Sequence, residues 1–126
     1  MKQLFSLLTM LCLGILALDA DVVVEAEDAQ FDGKVANNHS GYSGSGFVDV
    51  ANKSGSYILF QFSIAEDMPQ AIVKVRWANG KDDSRDIEVQ ANGVLQYENF
   101  PMGTSGGFTT WLESEMTLPL RAGKNT

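Results

Sequence analysis

Ala71-Ile72-Val73-Lys74-Val75-Arg76-Trp77-Ala78-Asn79-Gly80 decides how this chain folds. Successive side chains of a β-strand point to opposite faces, so Val73, Val75 and Trp77 share one face while Ile72, Lys74, Arg76 and Ala78 share the other. This is the pattern of a half-buried antiparallel strand, and Asn79-Gly80 closes it with a turn signal. Working outward, residues 56–64 repeat the alternation, with Ile58, Phe60, Phe62 and Ile64 on one face. Residues 86–91 place Ile87, Val89 and Ala91 together before a second turn signal, Asn92-Gly93. Residues 94–100 and 110–118 complete the series, the latter with Leu112, Met116 and Leu118 inward. No helix-length stretch of 3.6-residue periodicity occurs after the first twenty residues. Short strands punctuated by Gly and Asn about every ten residues predict an all-β, antiparallel sandwich. Its long loops fall at residues 31–46, 79–85 and 101–109.

Two stretches nearer the N-terminus read as chemistry. In Val24-Glu25-Ala26-Glu27-Asp28-Ala29 a strand would project Glu25 and Glu27 from one face, roughly 7 Å apart. Two carboxylates so placed repel unless a cation sits between them. Gly41-Tyr42-Ser43-Gly44-Ser45-Gly46-Phe47-Val48-Asp49-Val50 supplies glycines for a loop that can approach an ion closely, and Asp49 offers a further carboxylate. The combination predicts calcium. Asp49, flanked by Val48 and Val50, fits an outward strand position equally well.

Residues 1–20 are set apart by Lys2, an apolar run over residues 7–18 and the small Ala20, the layout of a secretory signal peptide. The run is too short and too interrupted to span a membrane. Cys12 is the one cysteine, and bulky Leu11 before it disfavours a lipoprotein signal. Residues 21–126 are enough for one small domain, without cysteine, for which a bound metal would serve as a staple. The formal charge of the 126-residue chain is −7. Loss of the leader removes one charge of each sign, Lys2 and Asp19, and leaves the balance unchanged. An acidic chain lacks the basic face that nucleic acid requires. His39 is the sole histidine and has no cysteine partner after the leader, which disfavours a zinc site or a thiol nucleophile.

Six segments, in order, resemble the carbohydrate-binding modules of family 35 and its relative family 6. They are Val24-Glu25-Ala26-Glu27-Asp28-Ala29, Gly41-Tyr42-Ser43-Gly44-Ser45-Gly46-Phe47-Val48-Asp49, Val75-Arg76-Trp77-Ala78-Asn79-Gly80, Val89-Gln90-Ala91-Asn92-Gly93, Gly106-Gly107-Phe108-Thr109-Thr110-Trp111 and Leu120-Arg121-Ala122-Gly123-Lys124-Asn125-Thr126. The resemblance implies a jelly-roll, galactose-binding-like sandwich with a structural Ca2+ and a sugar site in the loops at one end. It implies Glu25 and Glu27 as calcium ligands, joined by carbonyls of the 42–46 loop, Ser45 among them, and by Asp49. A further acidic ligand usually comes from the family's last strand, and the domain at 21–126 reads as stopping before that strand.

A pyranose has an apolar C–H face and a rim of hydroxyls, so its binder needs an aromatic platform and a few fixed polar groups. Tyr42, Asn79, Arg85, Phe108 and Trp111 lie in or beside the predicted loops and supply both types. Phe108 stands where similar modules more often carry Trp. Arg85, if it faces the site, could make a bidentate bond to a uronic acid carboxylate, as the resemblance implies. Trp77, with Val73 and Val75, reads as core, and Trp111 fits either core or platform. Asn79 also reads as a plain turn residue, and Arg85 also fits a solvated charged run.

The reading is a secreted or periplasmic, monomeric, non-catalytic module that targets a larger protein to polysaccharide, with no membrane contact once the leader is gone. Its rivals are an N-terminal piece of a glycoside hydrolase or polysaccharide lyase, and a surface adhesion domain of the same fold. Paired Glu25/Glu27 or Glu113/Glu115 would lie side by side on a strand, whereas glycosidase carboxylates flank a bond from opposite sides.

Overall fold

The structure is a computed structural model that describes residues 4–11 and 22–126. Lys2, Cys12 and the expected cleavage point after Ala20 lie outside the described residues. The strands are β1 (Leu4–Leu11), β2 (Val22–Glu25), β3 (Gln30–Phe31), β4 (Gly33–Ala36), β5 (Phe47–Val50), β6 (Ile58–Leu59), β7 (Phe62–Ile64), β8 (Met68–Ala78), β9 (Ile87–Ala91), β10 (Val94–Phe100), β11 (Leu112–Leu120) and β12 (Gly123–Asn125). A 3-10 turn covers Ala26–Asp28.

One layer is a six-stranded sheet in the order β11-β8-β1-β5-β4, with β2 also paired to β1. Its ladders are antiparallel. The opposing layer is made of short ladders, β9 with β10, β7 with β12 and β3 with β6. Between the layers Val48, Val73, Val75, Trp77, Met116 and Leu118 are buried, and Ile58, Phe62, Ile87, Val89 and Phe100 pack onto them. This is the antiparallel β-sandwich expected from the alternation.

The 71–80 stretch behaves as its pattern dictates. Val73, Val75 and Trp77 face the core, and the Trp77 indole N–H donates to Ser114 Oγ at 2.8 Å. The Asn92-Gly93 turn joins β9 to β10, with Asn92 at φ 52.

Three expectations are corrected. Residues 56–64 form two strands with different partners, β6 on β3 and β7 on β12. The alternation still faces the core, but the chain changes neighbours at Phe60-Gln61. Leu112 shares the inward parity of Met116 and Leu118 yet is 41% exposed, at the first position of a strand on the edge of the sheet. The 31–46 segment is not all loop, since residues 33–36 pair with β5 as β4.

Leu4–Leu11, inside the predicted leader, forms the central strand of the large sheet.

The packing predicts unequal costs for two residues on one edge ladder. Trp77→Ala should lower the unfolding free energy in urea by about 3–5 kcal/mol. Leu112→Ala should cost less than about 1 kcal/mol.

Candidate functional site

The loops after Ala36, Ala78 and Phe100 meet at one end of the sandwich, and three local structures are built there.

The first is a carboxylate clasp. The sequence predicts Glu25 and Glu27 on one strand face, but β2 ends at Glu25 and the 3-10 turn buries Ala26 completely. The two acids converge nonetheless, because the glycine loop folds against both. Ser43 Oγ donates to Glu25 Oε2 at 2.8 Å, and the Ser45 backbone N–H donates to Glu27 Oε1 at 2.8 Å. Gly44, at φ +63, sits between them, and a Cβ there would strike Glu27 Oε1 and lie 3.1 Å from the Glu25 carboxyl carbon. Only glycine permits that approach at that φ. Glu27 Oε2 is buried with no hydrogen-bond partner. An unpartnered buried carboxylate oxygen beside a second carboxylate is costly unless a cation is added. Carboxylates and hydroxyls are hard oxygen donors, so Glu25, Glu27, Ser43 and Ser45 fit a calcium ion.

Asp49 does not join the clasp. Among the described residues no three His, Cys, Asp or Glu groups converge on one point. Val48 turns into the core beside it, so strand parity sends Asp49 to the opposite face of the sheet, where it lines a groove described below.

The second structure is a buried junction made by Asn79, which is 0% exposed. Its Nδ2 donates to the Asp83 carbonyl at 2.9 Å and the Gly103 carbonyl at 3.1 Å, and its Oδ1 accepts from the Lys81 N–H at 3.0 Å. Its backbone N–H donates to Ser105 Oγ, and its carbonyl accepts from the Ser105 N–H. The expectation of Asn79 as a sugar contact is therefore corrected. Its amide is spent inside the protein, where it ties the 80–86 loop to the 101–107 loop.

The third structure is the surface those loops present. Phe47 is buried on the sheet face opposite the main core, with Ala36, Tyr42, Ala78, Phe108 and Trp111 around it. Ring centroids lie 5.8 Å from Phe47 to Tyr42 and 5.8 Å from Phe47 to Trp111. His39 stands 5.3 Å from Phe108 and 5.9 Å from Phe47. The Trp111 indole N–H donates to the Ser40 carbonyl at 2.9 Å, and the Arg76 guanidinium lies 5.4 Å from the Trp111 ring centroid. Tyr42, Phe108 and Trp111 are each half-buried, so each keeps some ring surface outward.

An open groove of about 490 Å3 adjoins this cluster, lined by Lys34, Asp49, Lys81 and Arg85 with Gly33, Val50, Ala51 and Asn52. The β4–β5 ladder connects the two features, with Ala36 opposite Phe47 at one end and Lys34 opposite Asp49 two residues away on the same face. Arg85 faces the groove and is held there by its backbone N–H to the Met102 carbonyl at 2.8 Å and by Asp83 at 3.0 Å. Asp49 is the single carboxylate among the lining residues, so no acid pair spans the groove.

Sequence reasoning missed Phe47, Lys34 and Lys81, and treated His39 as an ordinary loop residue. Phe47 could have been found from parity, since Val48 inward obliges Phe47 outward. Lys81 was hidden in a charged run.

Strands in two layers, with rings and cations gathered at one end, are the architecture of a carbohydrate-binding module. The comparisons name the family. A family 35 carbohydrate-binding module from an environmental isolate is 31% identical, with a TM-score of 0.68 over 76% of this chain and 69% of that one. A family 35 module solved in complex with a glucuronic-acid-containing disaccharide is 28% identical, with a TM-score of 0.67 over 76% of this chain and 69% of that one. The chain belongs to carbohydrate-binding module family 35. No protein-family profile matches it. An exo-β-D-glucosaminidase of Amycolatopsis orientalis is 33% identical over 102 residues, 80% of this chain, which spans only 10% of that enzyme's length.

Because Asn79 satisfies groups on two loops at once, Asn79→Ala should cost about 2–3 kcal/mol of stability in urea denaturation. Hydrogen exchange should quicken in residues 80–86 and 101–107 together.

Proposed function

We propose that this module binds an acidic polysaccharide at its loop end, is clasped by calcium at Glu25 and Glu27, and targets an exported protein to its glycan. The observation that carries the reading is the adjacency of half-buried rings to a groove holding Lys34, Lys81 and Arg85. An aromatic face offers a dry surface to pyranose C–H groups, and a guanidinium offers a forked donor to a carboxylate. Asp49 at the groove can accept from sugar hydroxyls. Binding is reversible and no bond is broken.

Calcium would sit between Glu25 and Glu27, with Ser43 and Ser45 beside it, and would neutralise the buried Glu27 oxygen. Its role there would be structural: held by Glu25, Glu27, Ser43 and Ser45, it would keep the 41–46 loop against the end of β2 and the 3-10 turn, and with it the base of Tyr42. Export is supported by the leader-like pattern of residues 1–20. The family 35 neighbour solved with a glucuronic-acid-containing disaccharide supports an acidic ligand.

Isothermal titration against neutral and uronic-acid oligosaccharides, with calcium and with chelator, tests the reading. Binding should favour the uronic acids, and Arg85→Ala should weaken them about tenfold or more while changing neutral sugars little. Binding to no glycan would contradict it.

The clasp has its own test in thermal unfolding. Calcium at a hundred times its Kd should add about 2.7 kcal/mol, and chelator should remove it. Gly44→Ala and Glu27→Gln should each abolish most of that difference.

A further inference from the structure

Phe47 at the loop end is ringed by Tyr42, Phe108, Trp111 and His39, and these outer rings are not equivalent. Trp111 has its polar atom engaged within the fold. Its indole N–H donates to the Ser40 carbonyl at 2.9 Å, and the Arg76 guanidinium sits 5.4 Å from its ring centroid. Phe108 has no polar side-chain atom, and one of its faces is closed. A Cβ on Gly80 would lie 2.6 Å from Phe108 Cδ2 and 2.8 Å from both Cγ and Cε2. Near-equal distances to three successive ring atoms put Gly80 over the face of the ring, since an approach in the ring plane would leave the two flanking atoms clearly farther away than the middle one. The main chain at Gly80 therefore covers one side of Phe108, and no sugar stacks there.

His39 packs against the same ring. Its centroid lies 5.3 Å from that of Phe108 with the planes at 32°, and 5.9 Å from that of Phe47 with the planes at 35°. Both separations are those of favourable aromatic pairs. Two ring contacts fix the imidazole, and because the residue is half-buried, part of it still faces outward. Among the described residues no hydrogen bond or ion pair engages its nitrogens. An imidazole carries at least one N–H donor in either protonation state. His39 is thus a donor already ordered by packing, and engaging it with a ligand costs little further side-chain entropy. An apolar ring would serve the contacts with Phe108 and Phe47 equally well, so packing alone does not account for an imidazole here.

We propose that His39 is a glycan-contacting residue that sets specificity at the loop end: its ring, held on Phe108 and Phe47, donates a hydrogen bond to a hydroxyl of the bound sugar. Phe108 then serves largely as the support on which the imidazole rests, with Gly80 placing that support from behind. A sugar lacking the hydroxyl would leave the donor unpaired in a partly desolvated site, which is how a polar contact discriminates between sugars of similar shape. The inference rests on reading this end as the glycan site, and adds to it the side chain that reads the rim of the sugar.

His39→Phe tests this, since it keeps a ring on Phe108 and Phe47 and removes both nitrogens. The probe is a glucuronic-acid-containing disaccharide with calcium present. Isothermal titration should show binding about tenfold weaker than wild type, the worth of one hydrogen bond, at an unchanged thermal midpoint. In the wild-type chain the imidazole 15N resonances of His39 should move as the disaccharide saturates, which a purely packing role would not produce. Wild-type affinity in His39→Phe, or imidazole resonances unmoved at saturation, would overturn the inference while leaving the glycan site in place. Should His39→Phe fail to fold, the wild-type resonances decide alone. A wild-type chain that binds no glycan contradicts the proposed function itself, and the role of His39 falls with it.

Discussion

β8 is the constraint on which the rest of the structure depends. It is hydrogen-bonded on both edges, to β1 and β11, and its alternation sends Val73, Val75 and Trp77 into the core while Lys74, Arg76 and Ala78 face the other way. Both consequences are functional. The inward residues hold the two layers together. The outward ones provide the floor of a second, smaller cluster, with Ala78 under Phe47 and Arg76 against Trp111. At its end the strand delivers Asn79 into a buried junction, where one amide fixes the loops that carry Lys81, Arg85 and Phe108. Fold and site are thus continuous along a single strand.

The clasp works on the same logic of convergence. Glu25 and Glu27 lie two residues apart in sequence, but their approach to a common point depends on a loop 18 residues further on that only glycine at position 44 lets close. The buried oxygen of Glu27 records an interaction that the polypeptide alone does not satisfy. Charge placed in this way favours a cation as a structural element. The groove beside the aromatic cluster has the opposite bias, with Lys34, Lys81 and Arg85 against Asp49 on its lining and Asp83 paired to Arg85 behind it. A chain of net charge −7 that keeps a cationic groove has separated its charges by location, and a sum over the composition conceals this.

Much of the fold was legible because period-two alternation is a direct image of burial. β8 and β9 turn the faces their patterns dictate toward the core, and residues 94–100 form the strand expected of them. What alternation cannot encode is the identity of the neighbour. Residues 56–64 therefore read as one strand although they pair with two partners, and the apolar leader read as outside the fold although Leu4–Leu11 pairs at its centre. The site was legible in residue type and less so in role. Tyr42, Phe108 and Trp111 gather in one cluster and Arg85 lines the groove beside it. Asn79 was misjudged, since an Asn before Gly looks the same whether it is exposed in a turn or buried with its amide fully used. Asp49 lies away from the clasp, on the same outward face as Phe47, a position that the parity of Val48 implies for both.

The proposed glycan site is the loop end, with its rings and cations. Chemical-shift mapping with a glucuronic-acid disaccharide in the presence of calcium tests it most directly. The largest changes should fall on Tyr42, Lys81, Arg85, Phe108 and Trp111 and should saturate together. Saturable changes confined to the face formed by Ile72, Tyr97 and Glu115, with the loop end unmoved, would contradict it.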